Sequence, residues 1–325
     1  MAFGKKSGLD ALLQRPEQEG FWTRFSKSPI KFIAQFLYSK LFRTEHRPSN
    51  SISARVVCIS DTHNTQPRLP EGDILIHAGD LTQSGTRKEL EEQIAWLDEQ
   101  PHRHKIVIAG NHELCLDHQR SAPSSSQSTL SGKDSAGIQI RHQTDPVDWK
   151  SLVYLQNSST TVELSENRRL KVFGSPYTPK HGNWAFQYPR ADKRIWEEVG
   201  IPDDADILIT HGPPRSHLDL GHLGCWSLLS RLWGMQRKPV LHVFGHIHGA
   251  YGKETLFWDA FQEAYECIMN DKCKFWKMVK LGYFGLARLV GAGTRAGEGK
   301  TVMINAAAVG GVRDEKRREA ICVDI

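Results

Sequence analysis

Five short apolar runs in this 325-residue chain end in residues that bind metals or move protons. The run "CISDTH" presents Asp61 and His63, and "IHAGD" presents Asp80. "VIAGNHE" presents Asn111 and His112, "LITHG" presents His211, and "VFGHIH" presents His246 and His248. One aspartate or histidine after a strand is ordinarily a turn or capping residue. Five such endings in order call for a shared purpose. Without His112, the set holds two aspartates, one asparagine and four histidines. Oxygen and imidazole donors without thiolates suit Mn, Fe or Zn rather than copper or an iron–sulfur cluster. Seven donors exceed one tetrahedral ion and fit two divalent ions if one carboxylate bridges. Two ions roughly 4 Å apart form a clamp for hydrolysing a phosphate ester, activating a water and neutralising the phosphoryl oxygens.

Such donors can meet only if the strands that carry them lie side by side. From residue 54 the sequence alternates short β-rich runs with helices. "ARVVCIS", "DILIHAG", "HKIVIAG", "RRLKVFGS", "ADILITHG", "PVLHVFGH", "TVMINAA" and "AICVDI" read as strands of a largely buried sheet. "TRKELEEQIAWLDEQ" reads as an amphipathic helix with Leu90, Ile94 and Leu97 inward. In open α/β sheets the loops after the carboxyl ends of the strands form the ligand crevice, so residues far apart in sequence converge there. Gly79, Gly110, Gly212 and Gly245 each lie within a residue of a proposed ligand, where backbone must turn sharply or approach closely.

The motifs "DTH", "GD", "GNHE", "THG" and "GHIH", complete and in order, resemble those of the calcineurin-like metallophosphoesterase superfamily. "SDTHN", "HAGDLT", "AGNHE", "THGPP" and "GHIHGAYG" are similar to the small metallophosphoesterase-domain proteins of the 239FB type. The likeness covers about residues 54 to 250 and resumes near 300 to 325. It implies a four-layer α/β/β/α sandwich of two mixed β-sheets flanked by helices. It also implies roles. Asp61, His63 and His248 would hold one ion, Asn111, His211 and His246 the other, and Asp80 would bridge. His112 would stabilise the transition state or protonate the leaving oxygen, and Asn64 is a candidate substrate contact. The expected reaction is phosphodiester hydrolysis by direct attack of a metal-bound hydroxide, on a cyclic nucleotide or another small diester. A small phosphomonoester, or a non-catalytic nucleotide-binding or protein-binding scaffold, is the alternative. Protein serine/threonine phosphatases continue GD as GDxxDRG. This chain continues "GDLTQSG", with Gln83 and Ser84 in place of the acid and arginine.

The remaining sequence bounds the setting. Composition is globular, with 39% hydrophobic and 24% charged residues and a mild net charge of +5. Six cysteines without a CxxC pair argue against a thiolate zinc site and a disulfide framework, and so for a reducing, intracellular compartment. No DNA-binding motif is visible, and no apolar run is long enough to span a bilayer. Residues 1–50 read as an amphipathic basic appendage and linker, and 51–325 as the metallophosphoesterase domain. Within it, residues 119–135 read as a disordered serine-rich insertion and 254–298 as a helical one. In the segment 21–44, Ile30, Ile33, Leu37 and Leu41 fall on one helical stripe. That segment and 254–290 are rich in aromatic and basic residues, which suits either packing on the domain or contact with an anionic membrane surface. His77 and His242, inside strands, read as core or ligand-orienting residues. His102, His104, His118, His142, His181, His217 and His222 read as loop or surface residues. Asn305 is a candidate polar neighbour of the site, and "GAGTRAGEG" reads as a loop.

Overall fold

The structure is a computed structural model that describes residues 20–41, 54–117, 146–165, 168–270, 279–283, 285, 299–311 and 314–325. The serine-rich insertion, His118, His142 and most of "GAGTRAGEG" lie outside the described residues. Six helices are bounded on both sides, α1 (Phe21–Lys27), α2 (Pro29–Leu41), α3 (Arg87–Asp98), α4 (Ile195–Glu198), α5 (Trp226–Gly234) and α6 (Ala260–Met269), and residues 279–283 and 285 are also helical. The strands are β1 (Arg55–Ile59), β2 (Ile74–Ala78), β3 (His104–Ile108), β4 (Val153–Tyr154), β5 (Ser158–Ser165), β6 (Arg168–Ser175), β7 (Thr178–Pro179) and β8 (Gln187–Tyr188). They continue with β9 (Ile207–Thr210), β10 (Leu241–Phe244), β11 (Gly252–Phe257), β12 (Lys300–Asn305), β13 (Val309–Gly310), β14 (Lys316–Arg317) and β15 (Ile321–Asp324).

Two mixed sheets stack face to face, in the orders β15-β1-β2-β3-β4 and β11-β12-β10-β9-β6-β5. The inner strands of each run parallel, while β15, β11 and β5 pair antiparallel at the edges. Period-two alternation divides each central strand between two layers. On β1, Val56 and Cys58 join Ile74, Ile76, Ile106 and Ile108 against Ile207, Ile209, Val243 and Ile304 of the other sheet. Val57 and Ile59 point the other way, onto Leu90, Ile94 and Leu97 of α3. The second sheet sends Phe173, Leu208, Phe244 and Met303 outward onto Trp196, Leu228 and Leu232 of α4 and α5. The four-layer α/β/β/α sandwich is therefore present, and both outer faces are covered by helices, as parallel strands require. Helix α3 starts at a capping box, Thr86 and Glu89 exchanging bonds with each other's backbone N–H.

The structure corrects the helical reading from residue 254 and the reading of the cysteines, and it orients the amphipathic segments. Residues 254–257 are not helical: they belong to β11, which pairs along all of β12 and completes a core sheet. Helix α6 follows, and its apolar residues Phe261, Ala264, Tyr265, Ile268 and Met269 point inward. Residues 21–41 form two helices, and Ile30 and Ile33 of the stripe face solvent, while Ala34 and Tyr38 are buried on α6. Cys267 is disulfide-bonded, so the cysteines no longer argue for a reducing compartment, although Cys58, Cys115, Cys225 and Cys322 are free. Among the described residues no helix is long and apolar enough to cross a membrane.

Candidate metal centre

The five motifs meet at one edge of the sandwich, where β1, β2 and β3 of one sheet and β9 and β10 of the other all end. Each chain turn there is sharp. Asp61, His63, Asn64, Asp80 and His246 all have positive φ, between 44° and 66°. Left-handed backbone is uncommon outside glycine, and aspartate, asparagine and histidine are the side chains that tolerate it best, so five such residues together mark a site rather than ordinary turns. Two glycines make the crowding visible. A Cβ on Gly245 would collide with Asp61 Oδ2, and one on Gly110 with Asp80 Oδ1.

The ligand atoms form overlapping triads. Asp61, His63 and His248 bring one ligand atom each to within 4.8 Å of one another, and so do Asp80, His211 and His246. Asp80 also joins His63 and His112 in a third triad, so it stands between the two halves as a bridging carboxylate must. Asn111 completes the second half, its Oδ1 3.0 Å from His211 Nε2. Every ligand expected from the sequence is thus brought to one place.

The imidazoles are oriented for coordination. Nδ1 of His63 lies 3.1 Å from Thr82 O, and Nδ1 of His211 lies 2.9 Å from Ala78 O. A carbonyl accepts only, so both rings carry their hydrogen on Nδ1 and direct Nε2 inward. Nδ1 of His248 lies 2.8 Å from Asp314 Oδ1. Nε2 of His63 and Nε2 of His248 are 3.4 Å apart, and Nε2 of His211 is 3.2 Å from Asp80 Oδ2. Converging imidazole nitrogens and carboxylates fit a divalent cation, and outward N–H bonds to oxygen are the usual support of a metal-binding histidine.

Electrostatics points the same way. Burial alone would raise Asp61 and Asp80, but His248 and His211 outweigh it and hold both carboxyls well below their usual range. Burial opposes protonation of His211 and His248, yet Asp80 raises the first to about 9, and Asp314 with Asp61 raises the second to about 10. Burial and neighbouring His211 push His246 down to about 3, and burial lowers His63. The carboxylates are ionised and their neighbours gather positive charge around them, which is the role a bound dication takes over.

His112 is partly buried, like His246 and His248, and is held mainly by backbone. Its backbone N–H donates to Asp80 Oδ1 at 2.8 Å, and its Nδ1 lies 2.7 Å from the carbonyl oxygen of Gln83. Its ring stacks on Trp184 at 4.2 Å and meets His63 edge-on at 4.5 Å. His112 and Trp184 line a cleft of about 450 Å³ with Asp80, Asn111, His246, His248 and Arg190. Asn64 is placed differently from the expected substrate contact. Its amide donates to Glu89 Oε1 at 2.6 Å and accepts from Gln83 N–H at 3.2 Å, bracing the loop that carries the His112 support.

Several residues of the site had no role in the sequence reading. Glu113 is fully buried, and its carboxylate accepts from the N–H groups of Asp80, Thr82 and Gly110 and from the Thr82 hydroxyl. It ties the Asp80 turn to the Asn111 turn. Its place after "GNH" was the available signal. Asp314, Trp184 and Arg190 gave none, since they come from loops without periodic pattern. Asn305 does support the site, donating to Leu218 O and Ile247 O at 3.1 and 3.0 Å beside His246 and His248. His77 and His242 are buried and bind the hydroxyls of Thr62 and Thr210, each next to a ligand in sequence. His102 is buried, with Nε2 on Pro70 O, rather than at the surface. His217 is also buried rather than a loop residue, held between Glu254 at 2.9 Å and Glu266 at 3.1 Å.

A two-sheet sandwich with carboxylates, an amide and histidines converging on its edge defines a metallophosphoesterase. The sequence profile of the calcineurin-like phosphoesterases matches residues 54–250, and the chain belongs to that family. Metallophosphoesterase domain-containing protein 1 of Homo sapiens is 38% identical over 232 residues, 66% of this chain and 67% of that protein. UPF0046 protein K07C11.7 of Caenorhabditis elegans is 35% identical over 203 residues, 61% of this chain and 64% of that protein. A protein of Emericella nidulans named probable rhamnogalacturonate lyase C is 56% identical over 319 residues, 98% of this chain but 29% of that protein. That name describes a protein most of whose length lies outside the match.

Proposed function

We propose that this protein hydrolyses small phosphate esters, phosphodiesters first, with two divalent ions of the Mn, Fe or Zn kind. The observation that carries the reading is the set of three overlapping triads linked through His63 and Asp80, with His112 a member of the middle one and on the cleft. Asp61, His63 and His248 would hold one ion; Asn111, His211 and His246 would hold the other; Asp80 would serve both. When bound, the ions supply a nucleophile at neutral pH and positive charge for the phosphoryl oxygens.

The chain's own residues do the rest. His112 holds Nδ1 on a backbone carbonyl, which leaves Nε2 for the cleft and accepts the ring in its neutral or protonated form. A protonated ring gives its Nε2 proton to the departing ester oxygen. Trp184, stacked on that ring, fixes its plane and excludes water from one face. Arg190, a fixed cation on the cleft wall, is suited to a non-bridging phosphate oxygen. The cleft volume of about 450 Å³ matches a small-molecule substrate such as a nucleotide. The absence of the acid and arginine after Asp80 favours such substrates over phosphoproteins. The test is a screen of metal-reconstituted protein on p-nitrophenyl phosphate, its bis-ester, and 2′,3′- and 3′,5′-cyclic nucleotides. Turnover of a diester above that of the monoester supports the reading. Turnover of a folded phosphoserine protein at the diester rate, or none on any ester, overturns it.

A further inference from the structure

We propose that α1 and α2 form a docking face for an anionic membrane surface. The two helices make a bent hairpin around Phe32, which meets Phe21 at 4.6 Å and Phe25 at 5.7 Å between ring centres. One side of α2 is anchored. Ala34 and Tyr38 are buried, Tyr38 stacks on Tyr265 of α6 at 3.9 Å, and its hydroxyl donates to Gln262 at 2.7 Å. Other apolar residues of α1 and α2 point outward. Trp22 is 77% exposed, Phe21 56%, Ile30 55%, Phe36 51% and Ile33 41%. Large aromatic and aliphatic side chains held in solvent on one rigid element mark an interaction surface.

Charge selects the partner. Residues 21–44 contain Arg24, Lys27, Lys31, Lys40 and Arg43 and no aspartate or glutamate. A neighbouring helical segment repeats the pattern. Leu281 is buried in the same cluster as Ala34 and Tyr38, while Val279 and Tyr283 are 47% and 68% exposed on either side of it, together with Lys280. Aromatic and aliphatic residues interleaved with cations, and free of acids, suit the boundary between acyl chains and anionic headgroups. The face also adjoins the site. A second cavity, lined by Lys27, Lys31 and Gln35 of these helices, shares Leu220 and Gly249 with the metal cleft. Docking therefore places the cleft beside the membrane surface.

The experiment is co-sedimentation of the full chain with phosphatidylcholine vesicles, with and without phosphatidylserine. The variant combines Trp22→Ser, Ile30→Ser and Ile33→Ser, all at exposed positions. Wild-type protein is expected to pellet with the phosphatidylserine vesicles, less at high salt, and little with phosphatidylcholine alone. The triple variant is expected to bind on the order of tenfold more weakly or worse, because three of the inserting side chains are gone. Its melting temperature and metal content should match wild type, which separates lost docking from lost folding. Wild-type protein remaining in the supernatant with anionic vesicles overturns the proposal. So does equal pelleting of the folded triple variant. A self-association that the triple variant abolishes, without vesicle binding, would assign the face to a second copy of the chain instead.

Discussion

His112 Nδ1 lies 2.7 Å from the backbone carbonyl oxygen of Gln83. A main-chain acceptor thus occupies the position that an orienting acid has in protein phosphatases of this superfamily. The difference is chemical. A carboxylate stabilises an imidazolium by its full charge, whereas a carbonyl orients the ring with a dipole only.

That relationship separates two substitutions. His112→Ala is expected to lose on the order of 10² to 10³ in kcat, typical of removing a general acid or oxyanion donor, while retaining its metal. Gln83→Ala keeps the carbonyl and is expected to stay within about twofold of wild type, as for a side chain with no part in the transition state. Metal analysis beside steady-state kinetics checks both. A large loss of kcat in Gln83→Ala, or loss of metal in His112→Ala, contradicts these roles.

Asp80 lies in two of the three carboxylate–histidine triads, one with His63 and one with His211 and His246. Asp80→Ala should therefore lower occupancy of both metal positions and reduce turnover by on the order of 10³ or more. Elemental analysis of the purified variant is the measurement. Two ions per chain in a folded Asp80→Ala protein would exclude a bridging role.

Asp314 holds His248 from outside the triad at 2.8 Å. Asp314→Ala should weaken metal binding by roughly 10- to 100-fold, as loss of a ligand's supporting bond does elsewhere, and kcat should recover at saturating metal. The same histidines predict a pH dependence. His211, raised to about 9, and His248, raised to about 10, carry protons at neutral pH that a metal must displace. Affinity should accordingly rise with pH from 6 toward 9, and metal addition at pH 7 should release protons into weak buffer. Titration calorimetry in buffers of different ionisation enthalpy measures that release. Affinity independent of pH across this range would refute it.

His217 lies buried between Glu254 and Glu266, and Trp233 Nε1–H donates to the second carboxylate at 2.7 Å. Burial disfavours its proton, but Glu254 and then Glu266 raise it to about 10 from an ordinary 6.5. A raised histidine contributes stability that is fully present below about 6.5 and is lost as pH rises through about 10. His217→Ala leaves the buried Glu266 and the half-buried Glu254 without their cation and should destabilise by about 3 kcal/mol at neutral pH. Denaturant melts of both proteins from pH 6 to 10 test this. The gap between them should narrow toward pH 10; a constant gap would mean the loss is one of packing volume.

The sequence by itself determined which residues meet at the candidate metal centre, their order and the layers that carry them. Each ligand follows an apolar strand by one to four residues, and strand alternation depends only on chain geometry, so Val56 and Cys58 could be assigned to one face and Val57 and Ile59 to the other. Helix α3 was legible for the same reason, with its capping box and its inward Leu90, Ile94 and Leu97. What supports the ligands was decided by tertiary structure alone. Asp314 reaches His248 across 66 residues, and the Gln83 carbonyl reaches His112 across 29. No local pattern encodes which loop arrives beside which imidazole. The same holds for burial of polar groups: His217 follows proline-rich loop sequence, yet becomes a core residue because β11 and α6 each bring it a glutamate. On α2 the periodicity revealed an apolar stripe but not its direction. The pairing of Tyr38 with Tyr265 and Gln262 turned Ala34 inward and left Ile30 and Ile33 in solvent, because a helix commits the face that finds a complementary partner.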